Sequence, residues 1–122
     1  MKNSFITVGI SHWKSPVDIR EKFSIKNENN KLLIQEAKKI GIKSIFILST
    51  CNRTQIFANN ANQHTLKKLL INYSKGNDAE LKKFGFVIKN QDAINNLFEI
   101  STGIDSQILG DMQIFSQVKE SI

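Results

Sequence analysis

Two β-type runs stand four residues apart, and this spacing constrains the fold more than any other feature of the chain. Ile45 to Leu48 is a continuous apolar run, a second strand is expected from Arg53 to Ala58, and only Ser49-Thr50-Cys51-Asn52 lies between them. Strands joined by so few residues pair as an antiparallel hairpin, because a parallel pair needs a crossover of a dozen residues or more. Cys51 then sits at or near the turn. The unbroken apolar run from Ile45 predicts a buried central strand.

The flanking segments alternate around that hairpin. Phe5 to Ser11 places Ile6, Val8 and Ile10 on one side of a strand. Pro16 suits the first turn of a short helix reaching Glu21, where its missing N–H is not needed. Leu33, Ala37 and Ile40 follow helical spacing from Glu28 to Ile40, with Gly41 as the stop. Leu66, Leu69, Leu70 and Tyr73 predict another helix, and Phe84, Phe86 and Ile88 a strand of period two. Ile94, Leu97 and Phe98 open a helix that Gly103 interrupts, and a last helix is expected from an N-cap near Asp105 to the end. Strand, helix, hairpin, helix, strand is the order of an α+β fold, a ferredoxin-like split βαβ sheet with added helices.

Composition narrows the function. The chain has 122 residues and a single Cys, enough for one core and too few thiols for a disulfide framework, so a cytoplasmic setting is expected. No apolar run approaches the roughly 18 residues of a membrane span, and no secretory signal is visible. The net charge of +6 admits a phosphate-rich partner. It does not demand one, because 15 of the 17 cations are Lys in a chain also rich in Asn and Ile. Neither phosphate-cradling glycine pattern is present, so no nucleotide site is expected within the chain. His12 and His64 have no Cys or His at ligand spacing, which speaks against a metal. His64 opens a Lys-rich helix as a solvated residue, and His12 ends the first strand near a turn.

Cys51 is the candidate nucleophile. Most lone cysteines are inert small core residues, but those lie inside apolar runs, whereas Cys51 is flanked by Thr50 and Asn52, two residues before Arg53. A turn exposes the thiol, and a guanidinium nearby favours its thiolate. Arg53 is one of only two Arg in the chain, and its fork grips a carboxylate or phosphate with two bonds. In the last helix Ser106, Gly110, Gln113 and Gln117 share one polar stripe, opposite Ile108, Met112, Phe115 and Val118. Such a stripe serves equally as a solvent face or as a ligand-binding face.

Three blocks, in order, carry a resemblance over nearly the whole chain. They are Gly9-Ile10-Ser11-His12 with Pro16-Val17 and Ile19-Arg20-Glu21; Ser49-Thr50-Cys51-Asn52-Arg53-Thr54; and Gly103-Ile104-Asp105-Ser106 with Leu109-Gly110, Gln113-Ile114 and Gln117-Val118-Lys119. Together they resemble the N-terminal domain of the glutamyl-tRNA reductases. The resemblance implies an NADPH-dependent enzyme of tetrapyrrole biosynthesis, in which Cys51 attacks the ester joining glutamate to its tRNA. The resulting thioester is then reduced to glutamate-1-semialdehyde. It also implies substrate-binding positions at Thr50, Asn52, Arg53, Ser106, Asp111, Met112, Gln113 and Gln117. The implied partners are glutamyl-tRNA, the enzyme's own NADPH-binding domain, a second copy through a C-terminal dimerisation domain, and glutamate-1-semialdehyde aminomutase. No membrane is implied.

The chain departs from the family pattern in three respects. Asn96 stands where the family usually has His, and a neutral amide is no general base. Asp111-Met112 replaces the usual Glu-Pro. Residues 1–122 are expected to be the N-terminal catalytic domain alone, with the family's NADPH-binding and dimerisation domains outside it, so the isolated chain is expected to lack reductase activity. The competing reading is a noncatalytic RNA-binding or interaction module on the same fold. Against it, the strands show no paired exposed aromatics and no basic-aromatic run.

Overall fold

A computed structural model describes residues 5–102. The chain runs β1 (Phe5–Ser11), α1 (Val17–Lys22), α2 (Asn27–Lys39), β2 (Ser44–Ser49), β3 (Arg53–Asn59), α3 (Gln63–Asn72), α4 (Asp78–Phe84), β4 (Phe86–Lys89) and α5 (Asn90–Thr102). The four strands form one antiparallel sheet in the order β2-β3-β1-β4. β3 lies between β1 and β2, so the fold is the expected ferredoxin-like split βαβ. The helix predicted from Asp105 lies outside the described residues.

Each face of the sheet has its own core. Ile6, Val8 and Ile10 of β1, Ile45 and Ile47 of β2, and Ile56 and Ala58 of β3 pack with Phe23, Leu33, Ala37, Leu66, Leu69 and Leu70. Their even spacing puts them all on one side. On the other side Phe46, Leu48 and Phe57 meet Ile100 of α5, with Phe5 and Leu97 packed against them. The Phe46 and Phe57 rings stack with centroids 4.8 Å apart.

This double cover corrects the expectation for Ile45 to Leu48. The run is buried on both faces, yet β2 is an edge strand paired only with β3. An apolar run reports that two faces are covered and says nothing about neighbours in the hydrogen-bonding direction.

Local chemistry accounts for the ends of the elements. Helix α2 stops in a Schellman motif: Gly41 N–H donates to the Lys38 carbonyl at 3.1 Å and Ile42 N–H to Ala37 at 2.9 Å. Gly41 has φ +100°, a conformation that strains any residue with a Cβ. Asn90, at φ 57°, turns β4 directly into α5. Helix α4 is a second correction. Phe84 is its last residue and not the start of a strand, and β4 begins at Phe86. The signal for α4 was a capping box rather than a periodicity: Glu80 N–H donates to Asn77 Oδ1 at 2.9 Å and Asn77 N–H to Glu80 Oε1 at 3.2 Å. With Leu81 as its only buried apolar residue, this helix has no apolar stripe to read.

Candidate active site

The β2–β3 hairpin closes at Ser49 opposite Thr54 and turns through 50–53. Thr50 organises that turn. Its N–H donates to the Arg53 carbonyl at 2.8 Å, and its hydroxyl oxygen accepts the N–H groups of Asn52 at 3.2 Å and Arg53 at 3.3 Å. The hydroxyl thus takes up two amides the turn would otherwise leave to water. Cys51, at the apex, is exposed and free. The base of the hairpin is tied to the α1–α2 connection, where Ile25 N–H donates to Ser49 Oγ at 3.1 Å.

Both arginines of the chain serve this hairpin, from opposite sides. Arg20 of α1 donates from Nε to the Cys51 carbonyl at 3.3 Å and from Nη1 to the Ser15 carbonyl at 2.8 Å. It therefore bridges the β1–α1 turn to the cysteine turn. Beside it lies a cleft of about 430 Å³ lined by Cys51, Thr50, Ser49, Val17, Arg20, Glu21 and Ser24. Arg53 lies on the other face, only 5% exposed. Its Nη1 donates to Gln55 Oε1 at 2.8 Å, and Gln55 Nε2 donates to Thr7 Oγ1 at 3.0 Å and to Asn96 Oδ1 at 2.9 Å. Four residues from β1, β3 and α5 make one polar layer inside an otherwise apolar sheet face. A buried network of this kind persists because its members satisfy one another.

Gly9 makes room for the layer. It pairs across the sheet with Gln55, and a Cβ there would lie 2.2 Å from the Thr54 carbonyl oxygen and 2.7 Å from Gln55 Cγ.

Among the expected site residues, Thr50, Asn52 and Cys51 are together in the turn. Arg53 and Asn96 are joined through Gln55. Ser106, Asp111, Met112, Gln113 and Gln117 lie outside the described residues. Thr7, Arg20 and Gln55 join the site only through the fold. A signal existed for Gln55, a polar amide between Thr54 and Ile56 in a strand otherwise destined for the interior. Among the described residues no cluster of three His, Cys, Asp or Glu could hold a metal, and no helix is long and apolar enough to cross a membrane.

Fold and site define a ferredoxin-like α+β domain that presents one exposed thiol at a hairpin apex, with the Arg20 guanidinium on the carbonyl of that cysteine and the Arg53 guanidinium in the polar layer of the opposite face. The chain belongs to the glutamyl-tRNA reductase N-terminal domain family. The family model for the glutamyl-tRNAGlu reductase N-terminal domain matches residues 8–122. Glutamyl-tRNA reductase of Flavobacterium psychrophilum is 45% identical over 117 residues, covering 96% of this chain and 28% of the relative. That of Christiangramia forsetii is 43% identical over 115 residues, covering 94% and 28%. The chain thus spans a little over a quarter of the length of these relatives. The solved structure of glutamyl-tRNA reductase from Methanopyrus kandleri shares the fold with a TM-score of 0.64 at 20% identity, over 96% of this chain and 27% of that one.

Proposed function

We propose that this chain is the acyl-accepting catalytic domain of a glutamyl-tRNA reductase acting in tetrapyrrole biosynthesis, and that Cys51 is its nucleophile. The observation that carries the proposal is the exposed Cys51 thiol at the apex of a turn held by Thr50 and Arg20. The sulfur, as thiolate, attacks the carbonyl carbon of the glutamyl ester. The S–C bond forms, the bond to the ribose oxygen breaks, and that oxygen takes up a proton as the tRNA leaves. Sulfur is both a good nucleophile and a good leaving group, so the thioester is more easily reduced than a carboxylate. Arg53 is assigned to the glutamate carboxylate, where a buried fork fixed by Gln55 loses little entropy on binding. Thr50 and Asn52 shape the turn around the reacting carbonyl. Ser106, Asp111, Met112, Gln113 and Gln117 are assigned to the rest of the substrate.

The family's NADPH does not fit the described residues. A dinucleotide is cradled by a glycine-rich turn between a strand and a helix in a parallel sheet. Here the sheet is wholly antiparallel, and the β1–α1 turn, His12 to Pro16, contains no glycine. The NADPH-binding domain is assigned to polypeptide outside this chain, as is the dimerisation domain, within a cytoplasmic enzyme.

The experiment is intact-mass analysis after acid quench of the chain mixed with labelled glutamyl-tRNA, alongside the count of free glutamate. The wild-type chain gains one glutamyl group, removable by hydroxylamine, or releases glutamate by slow hydrolysis, and makes no semialdehyde with NADPH present. Cys51→Ser does neither. Equal glutamate release by wild type and Cys51→Ser would refute the nucleophile, and semialdehyde formation would refute the division between domains.

A further inference from the structure

Trp13 has no part in the chemistry above, yet it is the sole Trp of the chain and 58% of it is exposed. Its indole lies over the Phe86 ring, with centroids 5.4 Å apart and planes inclined by 25°. One face of the indole is thus supported from beneath. The loop that carries it is pinned. Lys14 and Ser15 N–H groups both donate to the Ser11 carbonyl, at 3.2 and 3.1 Å, and the Ser15 hydroxyl donates to the same oxygen at 2.7 Å. Lys14 Nζ reaches the Gly85 carbonyl at 2.8 Å, fastening the loop to the start of β4.

Register places this stack with the candidate active site. Phe86 pairs with Gly9, and Gly9 with Gln55, so Phe86 stands on the face that carries Arg53 and Gln55. Ser11, two residues before Trp13, pairs with Arg53, two residues after Cys51. The stack is therefore at the same end of the sheet as the hairpin apex. β4 lies two strand spacings from β3, about 10 Å across the sheet.

We propose that Trp13, backed by Phe86, is the stacking platform for the terminal base of glutamyl-tRNA. This rests on the acyl-transfer reading above. The ester to be attacked is borne by an unpaired nucleotide, and proteins hold unpaired bases on exposed aromatic rings because every base offers a π-face. The surroundings suit a polyanion, with the Lys14 ammonium on the Gly85 carbonyl, one residue before Phe86, in a chain of net charge +6. The platform would give the domain a grip on the nucleic-acid half of its substrate, separate from the grip of Arg53 on the glutamyl half.

Because Trp13 is the only Trp, intrinsic fluorescence reads the platform directly. Titration with the trinucleotide CCA should quench it saturably, while ribose 5-phosphate, carrying charge without a base, should not. In parallel, glutamyl transfer to the chain is measured from glutamyl-tRNA and from a small glutamyl thioester with no nucleoside. Trp13→Ala should lower the ratio of the two rates about tenfold, chiefly through KM for glutamyl-tRNA, since a stacked base contributes about 1–3 kcal/mol. Trp13→Phe should restore most of it. Absence of quenching by CCA, or a ratio unchanged in Trp13→Ala, would overturn the platform and leave the indole to pack against another polypeptide segment. Quenching by CCA in a chain that accepts no glutamyl group would keep the platform and overturn the acyl-transfer reading instead.

Discussion

Replacing Gln55 by Leu keeps the side chain's bulk and deletes the hub of the polar layer. Arg53 Nη1 loses an acceptor at 2.8 Å, Thr7 Oγ1 a donor at 3.0 Å and Asn96 Oδ1 a donor at 2.9 Å. A hydrogen bond to a charged group is worth about 1.5–3 kcal/mol and a neutral one about 1 kcal/mol. Thr7 is fully buried and cannot turn to water, whereas Asn96 is only partly buried and recovers most of its loss. The leucine returns about 1 kcal/mol through apolar burial. The net loss is about 2–3 kcal/mol, a substantial part of the roughly 6–18 kcal/mol expected for a chain of this length. With a urea dependence of about 1.5 kcal/mol per molar, the unfolding midpoint should fall by about 1.5–2 M. Circular dichroism during urea titration measures it. Gln55→Glu should lose less at pH 7, because its carboxylate still accepts from Arg53 and Thr7 and the Asn96 amide can turn to donate. A Gln55→Leu midpoint within about 0.5 M of wild type would refute the claim that the layer is net stabilising.

Gly9→Ala places a methyl 2.2 Å from a backbone oxygen of the neighbouring strand, which cannot step aside, so urea titration should show a loss of about 3 kcal/mol or more. A loss below about 1 kcal/mol would mean the strands can part at no great cost. The Lys22–Glu80 ion pair, 2.6 Å long, joins α1 to α4. Its hydrogen bond, with Lys22 donating, holds the Glu80 carboxyl below the usual range and the Lys22 ammonium above its own. Stabilisation by the pair should therefore fade as pH falls through the lowered Glu80 value and as pH rises through the raised Lys22 value. The difference in stability between wild type and Glu80→Gln, measured across pH, should form a plateau that salt flattens, and a pH-independent difference would contradict it. Arg20→Ala removes the bridge from Ser15 to the Cys51 carbonyl, so hydrogen exchange at the Thr50 amide should quicken several-fold; unchanged exchange there would show that Thr50 alone holds the turn.

The antiparallel hairpin, the exposed position of Cys51 and the split βαβ order were all legible in the sequence. Each rests on short-range information: four residues between two strands, a polar turn around a thiol, a helical stop at Gly41. The spacing-based readings failed where burial and periodicity part company. Helix α4 carries one buried apolar residue and is held by its Asn77–Glu80 cap, so apolar spacing was silent and Phe84 was assigned to a strand.

Chain order and residue chemistry by themselves determined most of the elements and the exposure of the one thiol, because caps, turns and alternation act within a few residues of one another. Tertiary structure alone decided which of these side chains meet. Arg53 faces α5 rather than the α1 cleft, Arg20 is the guanidinium that reaches the Cys51 carbonyl, and Gln55, bonded to Arg53, also reaches Asn96, 41 residues further along the chain from Gln55. The physical reason is the pleat of the sheet. Adjacent residues of a strand point to opposite faces, so two neighbours in sequence can belong to different surroundings, while residues far apart in the chain share one.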